Sequence, residues 1–224
     1  MKEAIQTLLT SDKMAHAFEY LKQDEAHTID QQIELVQISS FSPFEEKRAI
    51  RFKELLTEAG LDPVMDEVHN VYAHIHGTGN GPTLYVSAHL DTVFPPETPL
   101  PVKREGTKIY APGIGDDTRG LAEILTLARA IKESGLKPVG DIIIGGNVGE
   151  EGLGDLRGMR HFFSKNADKV DGFISVDGAG CLICHGGTGS HRYEVTFRDR
   201  GTFLRCLRSC KPDLCHGARH LLYL

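Results

Sequence analysis

The stretch Thr83-Leu84-Tyr85-Val86-Ser87-Ala88-His89-Leu90-Asp91 decides how this chain reads: a short apolar strand runs straight into an imidazole and a carboxylate. Two later stretches repeat the plan. Residues 141–148 form an isoleucine-rich buried strand ending in Gly149-Glu150-Glu151-Gly152, and residues 172–176 form a strand ending in Asp177-Gly178. A fourth acidic group, Asp116-Asp117, lies in a glycine-rich loop ahead of a helix expected over 118–132, where Leu121, Ile124, Leu125, Ala128 and Ile131 share one face. Strands alternating with helices imply a three-layer α/β/α domain. In open α/β sheets, ligands bind beyond the carboxyl ends of the strands.

Working outward, the first 60 residues read as helical. Ile5, Leu8 and Leu9 share a face, as do Ala17, Phe18 and Leu21, and then Ile29, Ile33 and Val36. A last helix over 45–59 stops at Gly60. Ser42-Pro43-Phe44-Glu45-Glu46 reads as the cap of that helix, with the proline near its first position. Residues 68–75 alternate as a strand. Gly77-Thr78-Gly79-Asn80-Gly81-Pro82 then reads as a hairpin connection; lacking a following Lys-Ser or Lys-Thr, it is no phosphate loop. Further strands are expected over 182–185 and 191–197. From Arg198 onward neither helical nor strand periodicity is present, and the texture turns rich in Arg and Cys.

With 224 residues the chain has room for one large domain, or one and a fragment. Its 25 basic against 31 acidic side chains leave a net charge of −6, which argues against a general nucleic-acid binder and suits a site that holds cations. No apolar run approaches the ~20 residues of a spanning helix. Met1-Lys2-Glu3-Ala4 lacks the basic-then-apolar pattern of a signal peptide. The expected compartment is the cytoplasm, with neither membrane nor nucleic acid as partner. Cys181, Cys184, Cys206, Cys210 and Cys215 are an odd number and give no disulfide framework. Cys181-Leu182-Ile183-Cys184-His185 fits the c-type haem attachment pattern, but it has neither an export signal nor an evident axial partner. A zinc ribbon drawn from Cys181, Cys184 and two later cysteines fits only loosely.

The chemistry sits at the strand ends. One imidazole with several carboxylates suits Zn²⁺ or a related divalent ion, and such a cluster would repel itself without one. Each piece alone has an ordinary reading: a chance His-x-Asp, an Asp-Asp helix cap, a Glu-Glu-Gly turn, an Asp-Gly turn. Their placement at successive strand ends, in this order, is what points to a site.

The same residues resemble a known family. Ser87-Ala88-His89-Leu90-Asp91-Thr92-Val93, Ala111-Pro112-Gly113-Ile114-Gly115-Asp116-Asp117-Thr118-Arg119-Gly120, Gly149-Glu150-Glu151-Gly152 and Val176-Asp177-Gly178 are similar to the di-zinc hydrolases that include aminoacylases, glutamate carboxypeptidases, dipeptidases and tripeptide aminopeptidases. The resemblance covers roughly residues 28–197. It implies a zinc-peptidase-like α/β/α catalytic domain on a mixed sheet, acting on a peptide or N-acyl amino acid. It implies a first metal on His89, Asp116 and Asp177, and a second on Asp116 and Glu151, with Zn²⁺ as the ion and Co²⁺ or Mn²⁺ as substitutes. Asp91 would hold the other ring nitrogen of His89, and Glu150 would be the general base for a water shared by the two metals. The division of labour between Glu150 and Glu151 rests on the family pattern alone. A cis peptide is implied between Asp116 and Asp117.

Set against that family, residues 1–197 read as a partial catalytic domain. The lid and dimerisation domain, with its homodimer contact, and the histidine of the second metal have no counterpart. Residues 198–224 read as a non-family tail. Read one base later with GC-leaning codons, Arg198 to Pro212 can spell a Gly-Gly-His-Ser run like the family's own, so we expect an out-of-frame segment. We also expect an open sheet edge, weak stability and impaired turnover, with an inactive metal-binding or interaction fragment as the alternative.

Overall fold

In chain order the elements are α1 (Lys2–Leu9), α2 (Asp12–Gln23), α3 (Glu25–Val36), α4 (Glu46–Glu58), β1 (Val64–Met65), β2 (Val71–Ile75), β3 (Leu84–His89), β4 (Lys103–Glu105) and β5 (Lys108–Tyr110). They continue with α5 (Thr118–Glu133), β6 (Ile142–Asn147), α6 (Arg157–Asn166), β7 (Gly172–Ser175), β8 (Arg192–Asp199) and β9 (Thr202–Ser209). The structure, a computed structural model, describes residues 2–178, 182–186, 192–199 and 202–209. The chain divides into two compact units, Met1–Gly180 and Cys181–Leu224.

In the first unit the sheet order is β1-β2-β6-β3-β7. β6, β3 and β7 run parallel, while β2 is antiparallel to β6 and β1 antiparallel to β2, so the sheet is mixed. Alternation along each strand sorts side chains onto two faces. Val71, Ala73, Ala88 and Ile144 join Phe52, Leu55 and Leu56 of α4 and Leu121, Ile124, Leu125 and Ala128 of α5 in the main core. On the other face Tyr85 and Ile143 meet Phe162 of α6, with Tyr72 and Phe163 beside them. Helices on both faces make the α/β/α layering that the alternation of elements implied. Burying a side chain such as Phe52, fully enclosed here, contributes about 1.5–3 kcal/mol.

Helix starts follow local chemistry where a side-chain cap exists. Ser11 Oγ accepts from the Met14 N–H at α2, and Asp117 Oδ1 accepts from the Gly120 N–H at α5. Gly60, at φ +82°, ends α4 as expected. The expected cap at Ser42-Pro43 is corrected: α4 begins at Glu46, and its preceding residue Glu45 makes no side-chain cap bond. Ser42 instead accepts from Arg157, and Pro43 follows a cis bond.

The hairpin expected at Gly77–Gly81 is also corrected. β2 and β3 are not neighbours, because β6 lies between them. The 76–83 connection therefore crosses to the next strand but one, held by Thr78 and Gly79 N–H groups donating to Pro138 and Val139 carbonyls. Residues 66–70 turn rather than extend, with Asp66 Oδ1 accepting from the Val68 and Asn70 amides. This shortens the strand expected from 68 to β2.

In the second unit β8 and β9 pair antiparallel from Arg192↔Ser209 to Asp199↔Thr202. β8 falls on the strand expected over 191–197, whereas β9 is strand where none was expected; a ladder needs only backbone donors and acceptors. The reverse holds at 182–186, where the expected strand is absent and no partner strand pairs with it among the described residues.

Candidate metal centre

Sheet order explains why the acidic strand ends meet. β3 lies between β6 and β7, all three parallel, so their carboxyl ends emerge side by side, about 4.8 Å apart. The register pairs His89 with Asn147 and Ser87 with Ser175. Glu150 and Asp177 follow within three residues of those partners.

His89 Nε2 lies 2.8 Å from Asp116 Oδ1 and 4.0 Å from Asp177 Oδ1. One donor atom from each of His89, Asp116 and Asp177 falls within 4.8 Å of the others, and the same holds for His89, Glu150 and Glu151. The four ligands implied by the resemblance, His89, Asp116, Glu151 and Asp177, and the implied base Glu150 therefore come to one rim.

Asp91 takes a different contact from the one implied. The nearest partner of His89 Nδ1 is the Asp91 main-chain oxygen at 3.0 Å; the Asp91 carboxylate is 3.6 Å away. That carboxylate is fully buried and accepts the N–H groups of Glu150 (3.0 Å) and Glu151 (2.8 Å). It thus ties the β3 loop to the β6 loop.

Asp117 is a residue that sequence reasoning left as a helix cap. It does cap α5, but its other oxygen accepts the His89 N–H at 2.9 Å, so one side chain fixes the ligand strand to the helix start. The Asp116–Asp117 peptide is cis, as the resemblance implied. Gln32 and Thr118 hold the preceding loop by donating to the Ile114 and Gly113 carbonyls. Glu45, fully buried, pairs in a fork with Arg157, which packs on Gly149. Gly149 has φ +69°, and a Cβ there would fall 2.3 Å from the Arg157 guanidinium. Only glycine can open the Glu150-Glu151 turn under that arginine.

The electrostatics are those of crowded acids. Burial first, then the charges of Asp177, Glu151 and Asp91, push the Glu150 carboxyl above its ordinary value; burial and Asp116 do the same to Glu151. Burial pushes Asp117 up to about 8. Burial alone would strip the proton from His89, but Asp91, Asp117 and Glu150 outweigh it and hold the ring up at about 10. Asp91 goes the other way: burial would raise it, but His89 and the two backbone N–H donors hold it low. Among the described residues no lysine or arginine pairs with Asp116, Asp177, Glu150 or Glu151. A borderline-hard donor set of imidazole and carboxylates, short of positive charge, fits a divalent cation.

Beside the cluster is a cavity of about 360 Å³, walled by Val93, Phe94, Ala111 and Ile114 and bordered by Asp116 and Glu151. Of the cysteines, Cys184 is a free, exposed thiol; Cys181, Cys210 and Cys215 lie outside the described residues, as does the His191 end of the expected strand.

The family model for peptidase family M20/M25/M40 matches residues 85–204, more than half of the chain. The chain belongs to that family. Carboxypeptidase G2 of Pseudomonas sp. (strain RS-16) is 38% identical over 110 residues, covering 48% of this chain and 26% of the relative. Among solved structures, aminopeptidase PepT from Bacillus cereus is 25% identical with TM-score 0.58, over 68% of this chain and 43% of that one. The Bacillus subtilis YXEP protein, described as a dinuclear metal-binding peptidase of the M20 family, shares the fold at 15% identity and TM-score 0.54, over 70% and 44%. The chain spans less than half the length of each of these relatives.

Proposed function

We propose that this chain is a metal-dependent hydrolase of amide bonds in peptides or N-acyl amino acids. The observation that carries the reading is the convergence of His89, Asp116 and Asp177, with Glu150 and Glu151 hung on Asp91 alongside. His89, Asp116 and Asp177 would hold one ion, Asp116 and Glu151 a second, with Asp116 shared. Bound divalent ions would supply Lewis-acid charge at the scissile carbonyl and lower the pKa of water.

The chain's own part is proton handling and placement. Glu150 has a raised affinity for protons because it is buried among other acids. It takes the proton of the attacking water and returns it to the leaving nitrogen. Asp91 keeps the Glu150 amide fixed during that exchange. The apolar wall of Val93, Phe94 and Ile114 suits an uncharged side chain or acyl group next to the scissile bond. The proposal includes Zn²⁺ as the resident ion, the cytoplasm as compartment and an out-of-frame origin for residues 198–224. Sequencing the gene tests the last: codons for Arg198 to Pro212 that cannot spell a Gly-Gly-His-Ser run in the next frame would end it.

The deciding experiment loads the protein with Zn²⁺, Co²⁺ or Mn²⁺, measures metal content, and assays apolar tripeptides and N-acyl amino acids. Metal uptake with amide cleavage supports the reading. Uptake without cleavage removes the catalytic part, and no uptake removes all of it.

A further inference from the structure

Arg48 of α4 is among the largest fully buried side chains, 1% exposed, and among the described residues no carboxylate forms an ion pair with its guanidinium. Nε and Nη2 donate to the Ile38 carbonyl at 3.1 and 2.7 Å, and Nη1 donates to the Leu90 carbonyl at 2.9 Å. Enclosing an arginine this way is costly, and a methionine would fill the space without desolvating a charge. Its surroundings must therefore explain it, and they lead to the metal centre.

Leu90 is the residue between His89 and Asp91. Its carbonyl accepts from Arg48 and also from Ser40 Oγ at 2.7 Å, and its N–H donates to the Asn147 carbonyl at 2.7 Å. The peptide joining the ligand to the buried carboxylate is thus pinned on both sides. Asp91, directly beyond it, holds the Glu150 and Glu151 amides.

We propose that Arg48 is a positioning residue of the metal centre: by clamping the Leu90 carbonyl it sets Asp91, and through Asp91 the spacing between His89 on β3 and the Glu150-Glu151 loop after β6. The inference rests on the metal-centre reading above. Partners that hydrogen-bond a metal ligand directly typically carry 10–100-fold of metal affinity; Arg48 acts one link further out, through Leu90 and Asp91, which sets the low end of that range as its expected share.

The test compares Arg48→Lys, which keeps charge but loses the planar fork, Arg48→Met, which keeps bulk alone, and Ser40→Ala, which removes the second donor to Leu90. For each, Zn²⁺ affinity is measured by competition with a chromophoric chelator, visible bands are recorded after Co²⁺ loading, and unfolding is followed in EDTA. We expect Zn²⁺ affinity to fall about 10-fold in Arg48→Met, less in Arg48→Lys and least in Ser40→Ala, with shifted Co²⁺ bands in all three. A merely structural arginine would lower the unfolding midpoint in EDTA and leave affinity and Co²⁺ bands unchanged in the folded variants; that result overturns the inference. Should Arg48→Met not fold, Arg48→Lys and Ser40→Ala decide it by the same readouts. A wild-type chain that takes up neither ion fails the metal-centre reading itself, and this inference with it.

Discussion

Two clusters of charge, one buried at the helical flank and one at the sheet rim, differ in whether their charges close. At the flank Asp24, between α2 and α3, receives Arg129 Nε and Nη2 at 2.9 and 2.5 Å and Thr126 Oγ1 at 2.7 Å, while Arg129 Nη1 reaches Gln31 at 2.7 Å. One acid meets one base, and hydrogen bonds fill the remainder. At the rim four carboxylates share a single imidazole. The first needs nothing further; the second, where His89 is buried but Asp116 and Asp177 are exposed, lacks positive charge. A satisfied pair fastens a fold; a surplus of one sign calls for a ligand.

Substitutions should separate the two. The largest effect is expected from Glu150→Gln: amide hydrolysis by the metal-loaded protein falls about 10²–10⁴-fold, while Zn²⁺ content stays close to wild type. Equal turnover would take Glu150 out of the proton path. Asp24→Ala strands Arg129 in the interior and should cost about 3–5 kcal/mol in urea unfolding, leaving Zn²⁺ affinity per folded molecule unchanged. A coupled loss of affinity would erase the contrast between flank and rim.

Metal itself should act on the rim alone. At a free concentration 100 times its Kd, Zn²⁺ should stabilise the wild type by about 2.7 kcal/mol. The increment should vanish in Asp116→Ala and survive in Asp24→Ala, as read by unfolding with and without EDTA. The smallest effect is the acid response of the flank. Burial tends to raise Asp24, but Arg129, Thr126 and His27 outweigh it and hold it below its ordinary 3.8. A depressed folded pKa means the ion pair's stabilisation is complete above the unfolded value and is lost as pH falls through the folded one. Below about pH 4, wild type should therefore lose stability more steeply than Asp24→Asn in urea titrations of the metal-free protein.

Chemistry at the strand ends was legible because each motif is local. An apolar strand, a polar terminus and a capped helix can each be read within ten residues, and the family pattern assigns His89, Asp116, Glu150, Glu151 and Asp177 to one rim, where the structure brings them together. The apolar stripes of the first helices were less informative. Ile5, Leu8, Leu9 and Phe18 are exposed, while the buried positions of α3 include Thr28, Gln31 and Gln32. That wall packs through hydrogen bonds to α5 and to the loop before it, which hydrophobic spacing does not register. The glycine-rich 77–82 segment misled for a related reason: a tight turn and a crossover use the same residues.

Composition and periodicity determined the layered α/β class, the strand that delivers His89, and the acidic loops that follow its neighbours. Tertiary structure alone decided that β3 stands between β6 and β7, that Asp91 spends its carboxylate on two amides rather than chiefly on the imidazole, and that Glu45 meets Arg157 across 112 residues. The physical reason is range. Propensity and patterning act within a turn or a strand, whereas the pairing of buried charges is settled only when distant segments are brought together and water is excluded between them.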